Sequence, residues 1–353
     1  MISIKHLQAA LLFVAALLPG VACEGGAGLD KTAGVTPAML KRATQFRTVI
    51  QSGGRFRSGV YVYESRTVKD YAAEPEKLAA RLALLGFTDV YLTCGSGAKS
   101  AAGLALAWRR TFIRVAHGHG MRVHAQTLER GRLFVDDQAV IEDCAAVLDY
   151  NKSVVPGERF AGVSADLEPH IMKHGAAERP KELALVWDSE KNAGIGRDND
   201  LLLKRTTEVL ALARKTIGPL PLRQAVGFFF QNRYDAGEVA NGGARQFLQS
   251  CDALIVMAYN NRKERIWSMA EPTIKAAGSR PACVSVCIKT SHGIQNGKAD
   301  PTSLQPLGWD NMSDAVKYII SKGETTRAFL GVDIYEYQGF EMMWADAVVN
   351  QPR

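Results

Sequence analysis

Cysteine is scarce, with six in 353 residues, no CxxC pair and no spacing that suits a metal cluster. That excludes a framework of disulfides. The five cysteines after Cys23 read as small buried side chains with room for one bridge at most. Cys283 and Cys287 fall on one expected strand at an even offset, so they are expected to share a face while lying too far apart to bond. Dense Lys/Arg tracts interleaved with aromatics are also missing. The net charge of +7, with a pI near 9.0, therefore reads as a mildly basic surface and not as a nucleic-acid site. No Gly-rich phosphate loop follows the first apolar strand, which argues against a doubly wound nucleotide-binding sheet, and no cofactor is expected. No segment repeats, and none is of low complexity. The apolar run Leu7 to Leu18 is too short to span a bilayer.

That run has a different meaning. Lys5 and His6 precede it, and Pro19 to Cys23 offers small residues for cleavage, the pattern of a secretory signal over residues 1–22. Cys23 stands where a bacterial lipoprotein carries its lipid, so a lipidated or a simply cleaved terminus is expected there. Either places the protein outside the cytoplasm: in the periplasm, on the cell envelope or secreted, with membrane attachment only through Cys23. A Gly-rich tether from Glu24 to Asp30 and a leading helix from Thr36 to Val49, with Pro37 in its first turn, complete residues 23–57.

Hydrophobic residues make up 47% of the chain, enough for a large core. From residue 58 onward, apolar strands alternate with amphipathic helices. The expected strands are Gly59–Tyr63, Asp89–Thr93, Arg122–Gln126, the stretch Phe160–Pro169, Gln224–Phe230, Ala253–Tyr259, Ala282–Ile288 and Phe329–Tyr335. Seven helices fall between them: Pro75–Leu85, Ala102–His117, Asp137–Asp149, Leu201–Thr216, Gly243–Ser250, Trp267–Ala277 and Ser313–Ser321. Eight strands in βα alternation predict an α/β fold, a single (β/α)8 TIM barrel over residues 58–353. A monomer is expected.

The fourth strand carries the chemistry. FAGVSADLEP, Phe160 to Pro169, is an apolar strand ending in Asp166 and Glu168. Side chains alternate along a strand, so Ser164, Asp166 and Glu168 are expected on one face. Two acids there are costly to bury, and the C-terminal end of a barrel strand is where such folds do chemistry. The longest insertion, about residues 169–200, follows at once and is placed to shape a cleft.

FAGVSADLE resembles the strand-four pattern FDGxDxDxE of the family-18 glycoside hydrolases, chitinases and related endoglycosidases. Gly162, Asp166 and Glu168 match; Ala161 and Ser164 replace the first and middle Asp. Val256-Met257-Ala258-Tyr259-Asn260 on strand six resembles the family's MxY-D/N segment. The resemblance implies a glycan containing N-acetylhexosamine as partner, and substrate-assisted retaining cleavage, an exception to the two-carboxylate scheme. It further implies Glu168 as acid and then base, and Asp166 as the orienter of the acetamide and stabiliser of positive charge. Tyr259 would be its hydrogen-bond donor. Without the middle Asp, a barrel that binds sugar but no longer cleaves it is the alternative reading.

Strand seven ends in Lys289, where a two-carboxylate retaining enzyme would carry its nucleophilic Glu. Lys289 either binds an anionic sugar substituent or pairs with a nearby acid. Other polar and aromatic residues near strand ends are candidates for binding substrate: Tyr63, Gln126, Asn260, Tyr335 and Glu336, with Glu64, Glu129 and Gln231–Arg233 behind them. Tyr61, Trp187, Tyr337 and Trp344 read as sugar platforms or as core. A metal-dependent hydrolase on His170 and His174, or on His117, His119 and His124, would need three or four converging ligands. Pro169 and the following glycines predict a loop there, so no metal site is expected.

Overall fold

The computed structural model describes residues 34–52, 55–63, 67–93, 103–129, 131–188, 196–291, 293–295 and 298–345. Cys23 and the signal, Glu64 and Cys94 lie outside the described residues. Among the described residues no helix is long and apolar enough to cross a membrane.

Helix α1 (Pro37–Ile50) is followed by β1 (Arg57–Val62), α2 (Pro75–Leu85), β2 (Asp89–Thr93), α3 (Gly103–Gly118) and β3 (Arg122–Thr127). Then come α4 (Asp137–Ser153), β4 (Gly162–Ala165), α5 (Arg197–Ile217) and β5 (Leu222–Gly227). After two short helices, α6 (Phe230–Asp235) and α7 (Ala244–Phe247), the chain runs through β6 (Ala253–Met257), α8 (Lys263–Ala277) and β7 (Val284–Lys289). It ends with α9 (Gly308–Gly323), β8 (Phe329–Tyr335) and α10 (Tyr337–Trp344). The eight strands pair in parallel and close on themselves, β1 lying between β8 and β2. This is the expected (β/α)8 barrel.

Local chemistry sets the ends of the elements. Pro75 opens α2, and Gly86, at φ 86°, closes it in the left-handed conformation that favours glycine. Thr36 caps α1 by accepting from the Met39 N–H at 3.2 Å, and Asp136 caps α4 by accepting from Ala139. Helix α1 belongs to the outer layer: Phe46 is fully buried and meets Phe87, Trp309 and Phe340 at ring distances of 5.2–6.0 Å.

The floor of the barrel interior is polar, unlike the branched apolar layers usual in such barrels. Arg223 on β5 donates to Asp89 on β2 at 2.9 Å and to the Tyr91 hydroxyl at 2.6 Å. Tyr91 in turn donates to Asp333 on β8 at 3.2 Å, and Ser285 on β7 donates to the other oxygen of Asp333. His124 on β3 meets Asp89 at 2.7 Å. Burial and the Arg223 charge lower its pKa to about 4, so the neutral ring donates its Nε2–H. Two glycines make room: a Cβ at Gly59 would overlap Asp333 and Tyr91, and one at Gly162 would sit 2.5 Å from His124 Nδ1. Above this floor Tyr61, Tyr91, Ile255 and Cys287 form a small interior cluster.

Several expectations need correction. Strand five ends at Gly227, not Phe230, because Phe230 opens α6. Cys283 precedes β7 and joins the core between sheet and helices, whereas Cys287 joins the interior tyrosine cluster. The two therefore do not share a face; Ala282, at φ 46°, turns the chain just before the strand. Cys144, Cys251, Cys283 and Cys287 are all free and buried. Tyr61, Trp187, Tyr337 and Trp344 are buried side chains of the core.

Candidate active site

The hydrogen-bonded strand β4 stops at Ala165, so Asp166 and Glu168 lie just beyond it. Their common orientation survives because the alternation is extended by a side chain. Gln224, fully buried on β5, donates its Nε2 to the Leu167 carbonyl at 3.0 Å and receives the Leu167 N–H at 3.4 Å. The amide stands in for one more rung of the sheet. Leu167 is thereby held in the apolar core, and its two acidic neighbours turn to the other side, at the mouth of the barrel. Nothing in the motif pointed to Gln224; its signal was a lone amide within an apolar strand.

Both acids are half-buried. Asp166 Oδ1 is enclosed and has no hydrogen-bond partner, as does Ser164 Oγ below it. Burial raises the Asp166 pKa. The Glu168 carboxyl is pushed up further, by burial first and then by the negative charges of Asp166, Glu129 and Glu178. Asp166 therefore ionises before Glu168, and Glu168 keeps its proton well above the usual carboxylate range. His170 Nε2 lies 3.5 Å from Glu168 Oε1, but burial and Lys173 lower the His170 pKa to about 4. The ring is neutral and supplies no counter-charge.

The insertion after β4 accounts for that histidine. Pro169–Ile171 forms a single 3₁₀ turn, and the chain returns so that the Trp187 N–H bonds the Met172 carbonyl at 2.9 Å. Trp187, Phe229 and Phe230 surround the His170 ring at 5.6–6.3 Å. His170 and His174 share no helix. Among the described residues no three His, Cys, Asp or Glu side chains are grouped to hold a metal ion.

Around Asp166 stands a ring of tyrosines. Tyr259 stacks on Tyr335 at 5.4 Å, and Tyr335 meets Tyr63 edge-on at 5.7 Å. Burial, then neighbouring charges including Asp166, keep the Tyr63 and Tyr259 phenols far above their ordinary pKa. Both hydroxyls are neutral donors at any working pH. Gln126, buried on β3, donates to the Tyr63 hydroxyl at 3.2 Å and leaves its own oxygen unpartnered. Asp166, Glu168, Tyr63, Gln126, Tyr259 and Tyr335 are thus brought to one mouth.

Of the other candidates, Lys289 and Asn260 are engaged elsewhere and Glu336 is buried. Lys289 binds Asp300 at 2.8 Å and reaches Thr302 at 3.3 Å, so it pairs with a nearby acid. The Asp300 pKa is lowered: burial opposes this, and hydrogen bonds from Lys289 and Thr302 outweigh it. Asn260 accepts from the Arg262 N–H at 3.0 Å. The Glu336 side chain is buried between β8 and α10, and its carbonyl accepts from the Thr290 hydroxyl at 2.8 Å.

The fold is the eight-stranded barrel found also in solved glycosidases. A family-18 (GH18) chitinase from Pseudoalteromonas aurantia aligns with a TM-score of 0.50 at 14% identity, over 84% of this chain and 99% of that one. An intracellular xylanase from Thermoanaerobacterium saccharolyticum aligns at 0.47 and 13% identity, over 83% and 88%. An endo-β-N-acetylglucosaminidase from Cordyceps militaris gives 0.44 and 9%, over 85% and 86%. No family model matches the chain, and no curated protein does. At these identities the likeness is one of fold.

Proposed function

We propose that the protein is a glycoside hydrolase that cleaves a glycan containing N-acetylhexosamine by substrate-assisted retention. The observation that carries this reading is the pair of half-buried carboxylates Asp166 and Glu168 at the end of β4, both raised by burial and Glu168 further by its acidic neighbours. A protonated acid poised near neutrality is what a leaving glycosidic oxygen needs. Asp166, ionised and facing tyrosine hydroxyls, orients an acetamide and stabilises the positive charge that grows on it. Tyr259 donates to the acetamide. The end of β7 supports the assignment, since Lys289 stands there in place of a nucleophilic carboxylate and is tied to Asp300.

Asp166→Asn and Tyr259→Phe separate this reading from mere sugar binding. Asp166→Asn removes a charge and should lower kcat by ~10²-fold or more, the scale of a lost transition-state group. Tyr259→Phe deletes one hydrogen bond, worth about 1 kcal/mol, and should cost roughly tenfold or less. Steady-state kinetics on chitooligosaccharides, peptidoglycan fragments and N-glycans check the order. Equal, negligible losses would leave a sugar-binding barrel, as Ala161 and Ser164 suggest. Export belongs to the same proposal and rests on Lys5, the Leu7–Leu18 run and Ala22-Cys23. Mass spectrometry of the native protein should find a chain starting at Cys23; an intact Met1 would remove it.

A further inference from the structure

The residue that turns back on Glu168 is a histidine. Glu168 opens the 3₁₀ turn Pro169–Ile171, and the Ile171 N–H donates to the Glu168 carbonyl at 3.1 Å. Pro169 is buried and fixed in φ, which holds that turn and brings the side chain two positions on back toward the acid. His170 Nε2 lies 3.5 Å from Glu168 Oε1. That is the outer limit of hydrogen-bond reach, and contacts of a catalytic acid are often long until substrate tightens them.

Three aromatic rings from two segments set the orientation of the imidazole. Trp187 follows β4, and Phe229 and Phe230 form the corner after β5. They meet the His170 ring edge-on, at interplanar angles of 71–89°. Trp187 and Phe230 are themselves buried. Nδ1 is enclosed in this box and has no hydrogen-bond partner. A phenylalanine would fill the same box without enclosing a nitrogen, so packing alone gives no reason for an imidazole. The nitrogen that does face a polar group, Nε2, faces the Glu168 carboxyl. Other charges reach the pair from nearby: Lys173 acts on the ring, and Asp166, Glu129 and Glu178 act on Glu168.

We propose that His170 is a positioning residue for Glu168: it donates its Nε2–H to Oε1, so that the acid carries its own proton on Oε2, ready for the glycosidic oxygen. The assignment rests on the hydrolase reading above. A neutral imidazole has one N–H, which belongs on the nitrogen that has an acceptor, here Nε2. The bond stops the carboxyl from rotating and so aims a single oxygen. It also strengthens once Glu168 is a carboxylate, because a charged acceptor is bound more tightly. The donor therefore favours release of the proton and steadies the base that follows. The proton passes from Oε2 to the leaving oxygen and is recovered from the attacking water, while His170 keeps its own throughout.

Two variants separate positioning from packing in opposite directions. His170→Phe suits the aromatic box but has no donor, and should lower kcat roughly tenfold on substrates with poor leaving groups, with KM little changed. His170→Gln suits the box less well but carries an N–H at similar reach, and should recover most of that loss. A folded His170→Phe with wild-type kcat overturns the proposal, as does a folded His170→Gln that loses more than His170→Phe. Substrate-free ¹⁵N NMR of the ring nitrogens is the second readout. It should find the Nε2–H tautomer, with a shift that follows the ionisation of Glu168 and loses that dependence in Glu168→Ala. A ring protonated at Nδ1, with Nε2 accepting the Glu168 proton, or a ring blind to Glu168, overturns the proposal. The NMR needs no turnover, so it stands apart from the hydrolase reading, which a fully active Glu168→Gln would end whatever the tautomer.

Discussion

Glu168→Gln should abolish turnover on substrates with poor leaving groups, by ~10²–10⁴-fold, while glycan affinity changes little. The substitution keeps the shape of the side chain and its place half-buried beside Asp166, but removes the proton that burial and its acidic neighbours hold there. A substrate with a good leaving group needs little protonation and should be spared most of the loss. Wild-type activity should follow a bell-shaped pH profile, since Asp166 must be ionised and Glu168 protonated. Both limbs should lie above the ordinary carboxylate range, because both groups are raised. In Glu168→Gln the basic limb should disappear. Kinetics on a matched pair of leaving groups, with circular dichroism to confirm folding, check this.

The second large effect concerns stability. Arg223→Met should destabilise the barrel by about 3 kcal/mol or more, because it takes a buried cation from Asp89, leaving it Arg122 at 2.7 Å and His124, and removes the donor to the Tyr91 hydroxyl. Arg223 and Asp89 are 7% and 1% exposed, and the guanidinium also supports Tyr91 and through it Asp333. An exposed pair such as Lys263–Asp314 should be worth under about 1 kcal/mol when broken. The pH dependence carries the sign. The Asp89 carboxyl in the folded wild type is lowered: burial works against this, and Arg223, His124 and Thr88 outweigh it. It therefore contributes stability that is present above the unfolded pKa and lost as pH falls through the folded one. Without Arg223 that contribution shrinks and burial dominates, so the deficit of Arg223→Met relative to wild type should narrow as pH falls. Urea denaturation across pH measures it; a loss below about 1 kcal/mol would mean that Arg122, whose guanidinium meets Asp89 Oδ2 at 2.7 Å, and His124 suffice for Asp89.

Legibility in the sequence followed the range of the interactions. Helix α2, strand β2 and strand β8 lie where the pattern predicts them, because local signals mark their ends: Pro75 and Gly86 bracket the helix, and apolar runs bounded by polar residues form the strands. The acid pair was legible for the same reason, as alternation along a single segment. Failures came where distant residues meet. Phe228–Phe230 continue an apolar run, but tertiary packing against His170 and Trp187 turns them into a corner and a helix. The Gln224 clamp joins β5 to the end of β4, segments whose proximity only the closed barrel creates. The polar floor gathers Asp89, His124, Arg223, Ser285 and Asp333 from five strands that are far apart in the sequence. Helix α10 was missed because Tyr337–Trp344 is short and buries its aromatics on several sides.

The central claim is that β4 supplies the acid and the substrate's own acetamide supplies the nucleophile. The most direct measurement is ¹H NMR of the first-formed anomer during cleavage of one oligosaccharide with its N-acetyl group and of its counterpart without it. The account predicts retained configuration, cleavage only of the acetylated substrate, and no ester formed on the protein. Inversion, equal cleavage of both substrates, or a trapped glycosyl ester on an enzyme carboxylate would contradict it.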